Sequence, residues 1–382
     1  MKIDRHSSQT SFSRVKPDAI SGVEAGSTDR VIRRQSCADR LAHFVLPRLF
    51  VFCAIAGSTT CVWSQVSPAA ATSAAANGKS HVSQPPNTKS KKTEAPAKQL
   101  DPELSSPKAV MLLQRVLAQL VAGPAFDAKV RETVWTTGRE VVGVGTYEQA
   151  GGSTGRYNLQ LTMHDGDGKH RLQQISDGRL AWTRTDISGR VSLRRVDVGR
   201  LDEWVRGATQ NMAISPRLKV GAWAEMLSTI ERDYVLDVVG ASLKEDPVWV
   251  ITGKLRPSRR KAILAESGRK EWPMLFPTRV RVAVRSKPDP TTGFGALLPI
   301  RIEYWSDPVR ADEAEDKPSS NENGRLITLI ELYSLRPISP PSAERFRFEN
   351  QDAEVNFTNE TDRYIEMYGV HLTERERRQL RR

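Results

Sequence analysis

The most constraining feature of this sequence is a series of segments in which apolar and polar residues alternate. Between Tyr157 and His164, large apolar side chains occupy every second position, and this period of two predicts a strand with one buried face. Turn sequences rich in Asp, Ser and Gly follow at 165–168, 177–178 and 188–189, and such turns join antiparallel strands into hairpins. The alternating segments together predict one curved antiparallel sheet of about ten or eleven strands.

Helical patterns accompany the strands. Ser106-Pro107 is a typical helix start, and apolar residues then recur at helical spacing as far as Val121. A second helical stretch covers 220–231. Because a sheet with one apolar face must be covered, we expect these helices to pack on it. The predicted fold class is α+β, a half-open β-barrel covered by an N-terminal helix and mid-chain helices.

The chain is predicted to have four parts. Residues 1–64 are typical of a signal peptide with a long basic n-region, since their 15-residue apolar run is too short for a membrane span. Residues 65–105 form a disordered Ala/Ser/Pro/Lys linker, 106–350 the half-barrel domain, and 351–382 a C-terminal extension with a basic tail. We therefore expect a periplasmic or otherwise exported protein; the alternative is a chain anchored by an uncleaved signal segment.

The net charge of +12 suggests a nucleic-acid partner, but its distribution speaks against one. Residues 1–64 carry 9 basic and 5 acidic residues, and 371–382 carry 5 basic and 2 acidic. The stretch from 106 to 370 holds 38 basic and 35 acidic residues, so it is nearly neutral. All three cysteines lie in the predicted leader, so we expect no disulfide in the mature chain.

The sequence offers little that points to catalysis. It has no phosphate-binding loop and no His-Glu-x-x-His, and we identify no pair of nucleophile and base. His164, Asp165, Asp167 and His170 lie close together, but their spacing fits no standard zinc or calcium loop, and a polar turn explains them. We predict a non-enzymatic protein with no catalytic residues, no cofactor and no metal. A hydrolase, detectable by turnover of ester or glycoside substrates, is the third alternative.

The order of the motifs resembles one known family. Asp177-Gly-Arg-Leu-Ala-Trp182 is similar to the Asp-Gly-x-x-x-Trp hairpin of periplasmic lipoprotein-carrier and outer-membrane lipoprotein-sorting proteins, the LolA-like family. Trp223–Ser228 resembles that family's mid-chain helix, Trp249–Pro257 a following strand and Ala343–Phe348 its closing segment. The resemblance covers roughly 107–350 and rests on the joint order of these motifs.

The resemblance implies a half-open barrel with a helical lid, with acyl chains bound between lid and sheet and no covalent chemistry. The apolar strand faces then supply the candidate ligand cavity: Tyr157, Leu159, Leu161, Met163, Leu180, Trp182, Val280, Val282, Val284, Ile302 and Tyr304. Arg156 is the candidate contact for a ligand head group. The ordinary alternatives are core packing for the apolar residues and a solvated strand end for Arg156.

Two functions follow as hypotheses. The first is an exported carrier or sensor, a monomer, that binds lipid or lipoprotein acyl chains, with an envelope protein and a peripheral membrane contact as further partners and no nucleic acid. The second is a cell-envelope protein-interaction module with a filled core and no ligand. The space between helix 107–122 and the sheet distinguishes them, because an apolar void favours the carrier and tight packing favours the module.

Overall fold

The computed structural model describes most of the chain from Glu103 onward. The residues it describes are 103–136, 139–166, 168–208, 214–244, 246–307, 324–350 and 354–380. The signal peptide predicted for 1–64 and nearly all of the predicted linker lie outside the described residues. Within the described ranges, no helix has both the length and the apolar character needed to cross a membrane.

One large sheet organises the described part of the chain. Its twelve strands are β1 Phe126–Trp135, β2 Glu140–Gln149, β3 Arg156–His164, β4 Lys169–Asp177, β5 Leu180–Ile187, β6 Arg190–Asp197, β7 Tyr234–Leu243, β8 Asp246–Leu255, β9 Arg279–Arg285, β10 Pro299–Trp305, β11 Leu326–Pro337 and β12 Phe357–Asn359. They stand in the order β12-β6-β5-β4-β3-β2-β1-β11-β10-β9-β8-β7. Neighbours are antiparallel, except that β12 runs parallel to β6.

The same ranges contain six α-helices. They are α1 Pro107–Ala122, α2 Val198–Ala208, α3 Ala222–Asp233, α4 Pro257–Ser267, α5 Thr361–Met367 and α6 Glu374–Leu380. Proline begins both α1 and α4, where its missing N–H removes no helix hydrogen bond. Helix α4 ends at Gly268 with a φ of 65°, a conformation that glycine adopts at low cost.

Helix α1 is tied to the sheet at both of its ends. At the start, the Ser106 amide donates a hydrogen bond of 2.7 Å to the carbonyl of Leu236 on β7. At the finish, the side-chain amide of Gln149 on β2 donates to the carbonyl of Leu120. The helix therefore crosses the sheet from β7 to β2.

Helix α3 crosses the same face in the opposite direction. It starts over β4, where the Ala222 amide donates to Oε1 of Gln174 at 2.8 Å, and it leads directly into β7 at Tyr234. We call α1 and α3 the cover, the sheet face beneath them the covered face, and the opposite face the open face.

The predicted fold class is confirmed: the protein is α+β, with one curved, unclosed sheet that is antiparallel apart from β12. The helices expected at 107–122 and 220–231 are present as α1 and α3. The sheet has one strand more than the upper expectation, because β12 is a three-residue strand too short to show a period in the sequence.

The chain beyond residue 350 is partly built into the fold. Tyr364 and Ile365 of α5 are buried in a second apolar cluster that includes Leu201 and Val205 of α2. The Thr361 hydroxyl accepts a hydrogen bond of 2.8 Å from the amide of Asp197 at the end of β6. The predicted C-terminal extension therefore closes the β6 side of the sheet.

Replacing Ile365 with alanine is expected to lower the free energy of unfolding by about 2–4 kcal/mol, because its side chain is fully buried. Urea denaturation measures the change. Met367→Ala, on the same helix but at a side chain 41% exposed, is the control and should cost less than about 1 kcal/mol. Equal losses in the two variants would contradict the burial of α5.

Candidate functional site

The cover and the covered face share one apolar cluster. It contains every predicted cavity residue other than Leu180 and Trp182, namely Tyr157, Leu159, Leu161, Met163, Val280, Val282, Val284, Ile302 and Tyr304. Leu113 and Leu117 of α1 and Trp223 of α3 are buried in the same cluster. The residues from the two halves of the sheet therefore meet in the interior, and their role as a ligand site stays a prediction.

Leu180 and Trp182 lie on the open face of β5. Their neighbours Ala181 and Thr183 are buried, and side chains alternate between the two faces of a strand. The Trp182 ring stacks on Phe348, with ring centroids 4.9 Å apart, and meets Phe357 edge-on at 5.5 Å. The tryptophan of the Asp-Gly hairpin thus packs on aromatic residues of the chain that follows β11, and its ring does not lie in the interior.

Arg156, the predicted head-group contact, lies at the rim of the covered face. It begins β3 and is half-buried, and its Nε donates to the carbonyl of Asp177 at 3.3 Å. Together with Tyr157 and Arg217, it borders a small opening of about 20 Å³ at the end of α1. Its contact with a ligand stays a prediction.

In the part of the chain that the structure describes, side chains fill the interior around the apolar cluster. Trp223 and Tyr304 are among the largest fully buried residues. Two openings that border the apolar cluster measure about 20 Å³ each, which is room for about one water molecule, whereas small-molecule pockets usually exceed about 300 Å³. This tight packing is what the interaction module leads us to expect, and an acyl chain can enter only if the cover moves.

Polar groups without hydrogen-bond partners lie within this interior. Glu132 on β1 is fully buried, and neither of its carboxyl oxygens has a partner. The hydroxyl of Thr328 on β11 and the indole Nε1 of Trp223 are also buried without one. Burial raises the pKa of Glu132 from its ordinary value of 4.5 to about 8, so this side chain is a neutral carboxylic acid at neutral pH.

The sequence analysis did not single out Glu132. Its signal is positional, because Ala128, Val130 and Val134 occupy the same face of β1 and are all buried. The period of two assigns Glu132 to the buried face of β1, where an apolar residue is expected. Such departures from the pattern occur most often at functional or strained sites.

Glycine is required where α3 meets the sheet. Gly221 precedes the helix with a φ of 80°, a conformation that other residues adopt only with strain. A Cβ at this position would overlap the hydroxyl of Tyr157 on β3. The close approach fixes the start of the cover against the covered face.

The turn with His164 and His170 is explained by its own hydrogen bonds. Nε2 of His170 lies 2.7 Å from Oδ2 of Asp165, and the Ser188 amide donates to Nδ1 of His170 at 3.2 Å. Asp167 lies outside the described residues. In the part of the chain that the structure describes, no group of three or more His, Cys, Asp or Glu residues could hold a metal ion.

The segment Gly151-Gly-Ser-Thr-Gly155 has the Gly-x-Ser-x-Gly spacing of hydrolase nucleophiles. That motif functions at a turn from a strand into a helix, but here it connects β2 to β3. The Ser153 amide donates to the carbonyl of Val121 at 2.9 Å. The segment therefore serves as the turn on which the end of α1 rests.

Gly221→Ala is expected to lower the free energy of unfolding by about 2 kcal/mol or more, because the added methyl group meets Tyr157 and the φ is positive. Gly240→Ala in β7 is the control, since the nearest atom to its added Cβ is 3.7 Å away. Thermal unfolding of both variants checks this, and similar losses would contradict a close junction at Gly221.

Glu132→Gln is expected to reduce the pH dependence of stability. Burial raises the pKa of Glu132 in the folded protein, so the folded state holds this proton more tightly than the unfolded chain does. The stability that this proton binding contributes is complete below the pKa of the unfolded chain and is lost as the pH rises towards about 8. The free energy of unfolding of the parent protein should therefore fall by about 3–5 kcal/mol more than that of the variant between about pH 5 and pH 9. Parallel pH profiles in urea denaturation would refute this.

Comparison with known proteins gives matches among solved structures alone. No family model matches the chain, and no curated protein does. The MucA/MucB complex of Pseudomonas aeruginosa matches with a TM-score of 0.29 and 14% identity, over 63% of this chain and 61% of that chain. A LolA superfamily protein from Nitrosomonas europaea matches with a TM-score of 0.25 and 9% identity, over 63% of this chain and 97% of that chain.

A third match is an outer membrane lipoprotein-sorting protein domain from Vibrio parahaemolyticus. Its TM-score is 0.26 and its identity 10%, over 63% of this chain and 96% of that chain. This chain thus spans about three-fifths of the matched chain of the MucA/MucB complex, with 61% covered, and nearly all of the other two.

Proposed function

We propose that this chain is an exported, non-enzymatic binding protein that takes an acyl chain between its cover and its covered face. The build of the cover supports this most directly. Helices α1 and α3 lie on the apolar cluster without taking part in any strand pair. An acyl chain can therefore replace helix side chains against the sheet while every strand ladder stays intact.

Because the interior is filled, binding requires the cover to move, and the energies decide which ligands can bind. Separating four buried side chains of α1 (Leu113, Val116, Leu117 and Leu120) from the sheet costs about 6–12 kcal/mol. An acyl chain of about 16 carbons gains about 13 kcal/mol by burial. Since these energies are similar, we expect only long acyl chains to bind.

The rim near the end of α1 is the proposed exit for the head group. Arg156 and Arg217 both border the opening there, and guanidinium groups suit phosphate or carbonyl oxygens. The ligand would then lie with its chain under the cover and its polar end among these side chains. The predicted leader would place the protein in the periplasm or outside the cell.

Uptake by delipidated protein tests the proposal. Fluorescent acyl probes of about 8, 12 and 16 carbons are titrated, and the affinity is expected to rise about a hundredfold with each step, because each of the four added methylenes contributes about 0.8 kcal/mol when buried. Short probes should show little binding. Folded protein that takes up none of these probes, and that carries no lipid by mass spectrometry after native purification, would overturn the proposal.

The filled interior favours a second candidate, the cell-envelope interaction module. Strand β7 ends the strand order, and from Asp237 to Ser242 its side chains are exposed or half-buried. Trp249 on β8 pairs with Gly240 of β7, so it lies beside this edge, and its side chain is 44% exposed. An extended segment of an envelope protein could add to this edge as a further strand.

The uptake experiment separates the two candidates. The module predicts no binding at any chain length and no lipid in native preparations, whereas the carrier predicts binding that increases with chain length.

A further inference from the structure

Glu132 and Thr328, whose buried polar groups lack hydrogen-bond partners, lie on neighbouring strands at the centre of the sheet. Their strands, β1 and β11, are neighbours in the middle of the strand order. In the register, Glu132 stands opposite Ile330 and Thr328 opposite Val134, so the two polar residues are diagonal neighbours on the covered face. Diagonal pairs in a sheet have Cβ atoms about 7–8 Å apart or less, which lets one ligand group reach both side chains.

We propose that Glu132 and Thr328 form a polar subsite that hydrogen-bonds a neutral carbonyl group, an ester or an amide, carried on the part of the ligand that lies deep under the cover, about 20 Å along the sheet from the head group at the rim. This inference rests on the proposed function. The carboxylic acid and the hydroxyl each carry one O–H donor, and an ester or amide carbonyl oxygen has two lone pairs to accept them. The same contact would give both buried groups the partners that they lack in the filled interior.

The energetics support a ligand role over a purely structural one. A buried polar group without a partner costs about 1–3 kcal/mol, and a packed core gains nothing from two of them in adjacent strands. A ligand carbonyl placed between them removes that cost and forms its bonds in surroundings of low dielectric constant, where hydrogen bonds are stronger.

The surroundings favour a neutral group over an anion. In the register, Glu132 stands opposite Ile330 and Gly143. Val130 and Val134 flank it on the same face of β1, and Tyr304, opposite Thr328, lies near it. None of these residues carries a charge at neutral pH. Burying a carboxylate in such surroundings is costly without a cation beside it. The raised pKa of Glu132 has the same physical cause, and it keeps the proton that the subsite donates.

A matched pair of probes tests the subsite. A pyrene-labelled long-chain methyl ester and a pyrene-labelled hydrocarbon of equal length are titrated into the full chain and into Glu132→Leu and Glu132→Gln. The parent protein should prefer the ester about tenfold, the equivalent of one buried hydrogen bond. Glu132→Leu should lose this preference while it still binds the hydrocarbon, and Glu132→Gln, which retains an N–H donor, should keep most of it.

The outcomes separate the two hypotheses. If the folded parent protein binds neither probe, the proposed function fails, and the subsite fails with it. If the parent binds both probes equally, or if Glu132→Leu keeps the preference for the ester, the subsite is wrong while acyl binding stands. Removing an unpaired buried carboxyl group should not impair folding, so circular dichroism of the leucine variant should match that of the parent.

Discussion

The packing of α1 and α3 on the covered face is the interaction on which the rest of the structure depends. The sheet does not close into a barrel, so its apolar face is kept from water by the cover and not by a ladder of strands. Two buried amide side chains tie the helices to the sheet: Gln149 donates to the backbone at the end of α1, and Gln174 accepts from the backbone at the start of α3. These bonds set the position of the cover, and the apolar cluster between cover and sheet supplies the stability.

Under the proposed function, this arrangement places stability and ligand binding in competition. The same side chains that fill the interior must yield if an acyl chain is to enter, and the two burial energies are of similar size. Glu132 and Thr328 add to this balance, because each lowers the stability of the closed interior while it lacks a partner. A chain selected only to fold would gain from apolar residues at both positions.

Particular strands explain which interior side chains the sequence predicted and which it did not. In β3 and β9 one face is entirely large and apolar, so the period of two identified the interior side chains from Tyr157 to Met163 and from Val280 to Val284. In β5 both faces carry residues of mixed character, and the size of Trp182 suggested the wrong face. Glu132 was missed because alternation treats a charged residue as exposed.

By itself, the sequence determined that the chain forms a long apolar helix, a meander of antiparallel strands and a second helix before the later strands. Strand and helix periods are local properties, readable within ten to fifteen residues. Only the tertiary structure decided that β1 lies beside β11, that β12 joins the edge at β6, and that the interior is filled. Contacts such as Asp197 with Thr361, which are 164 positions apart, depend on how separate surfaces fit together, and no local period encodes that fit.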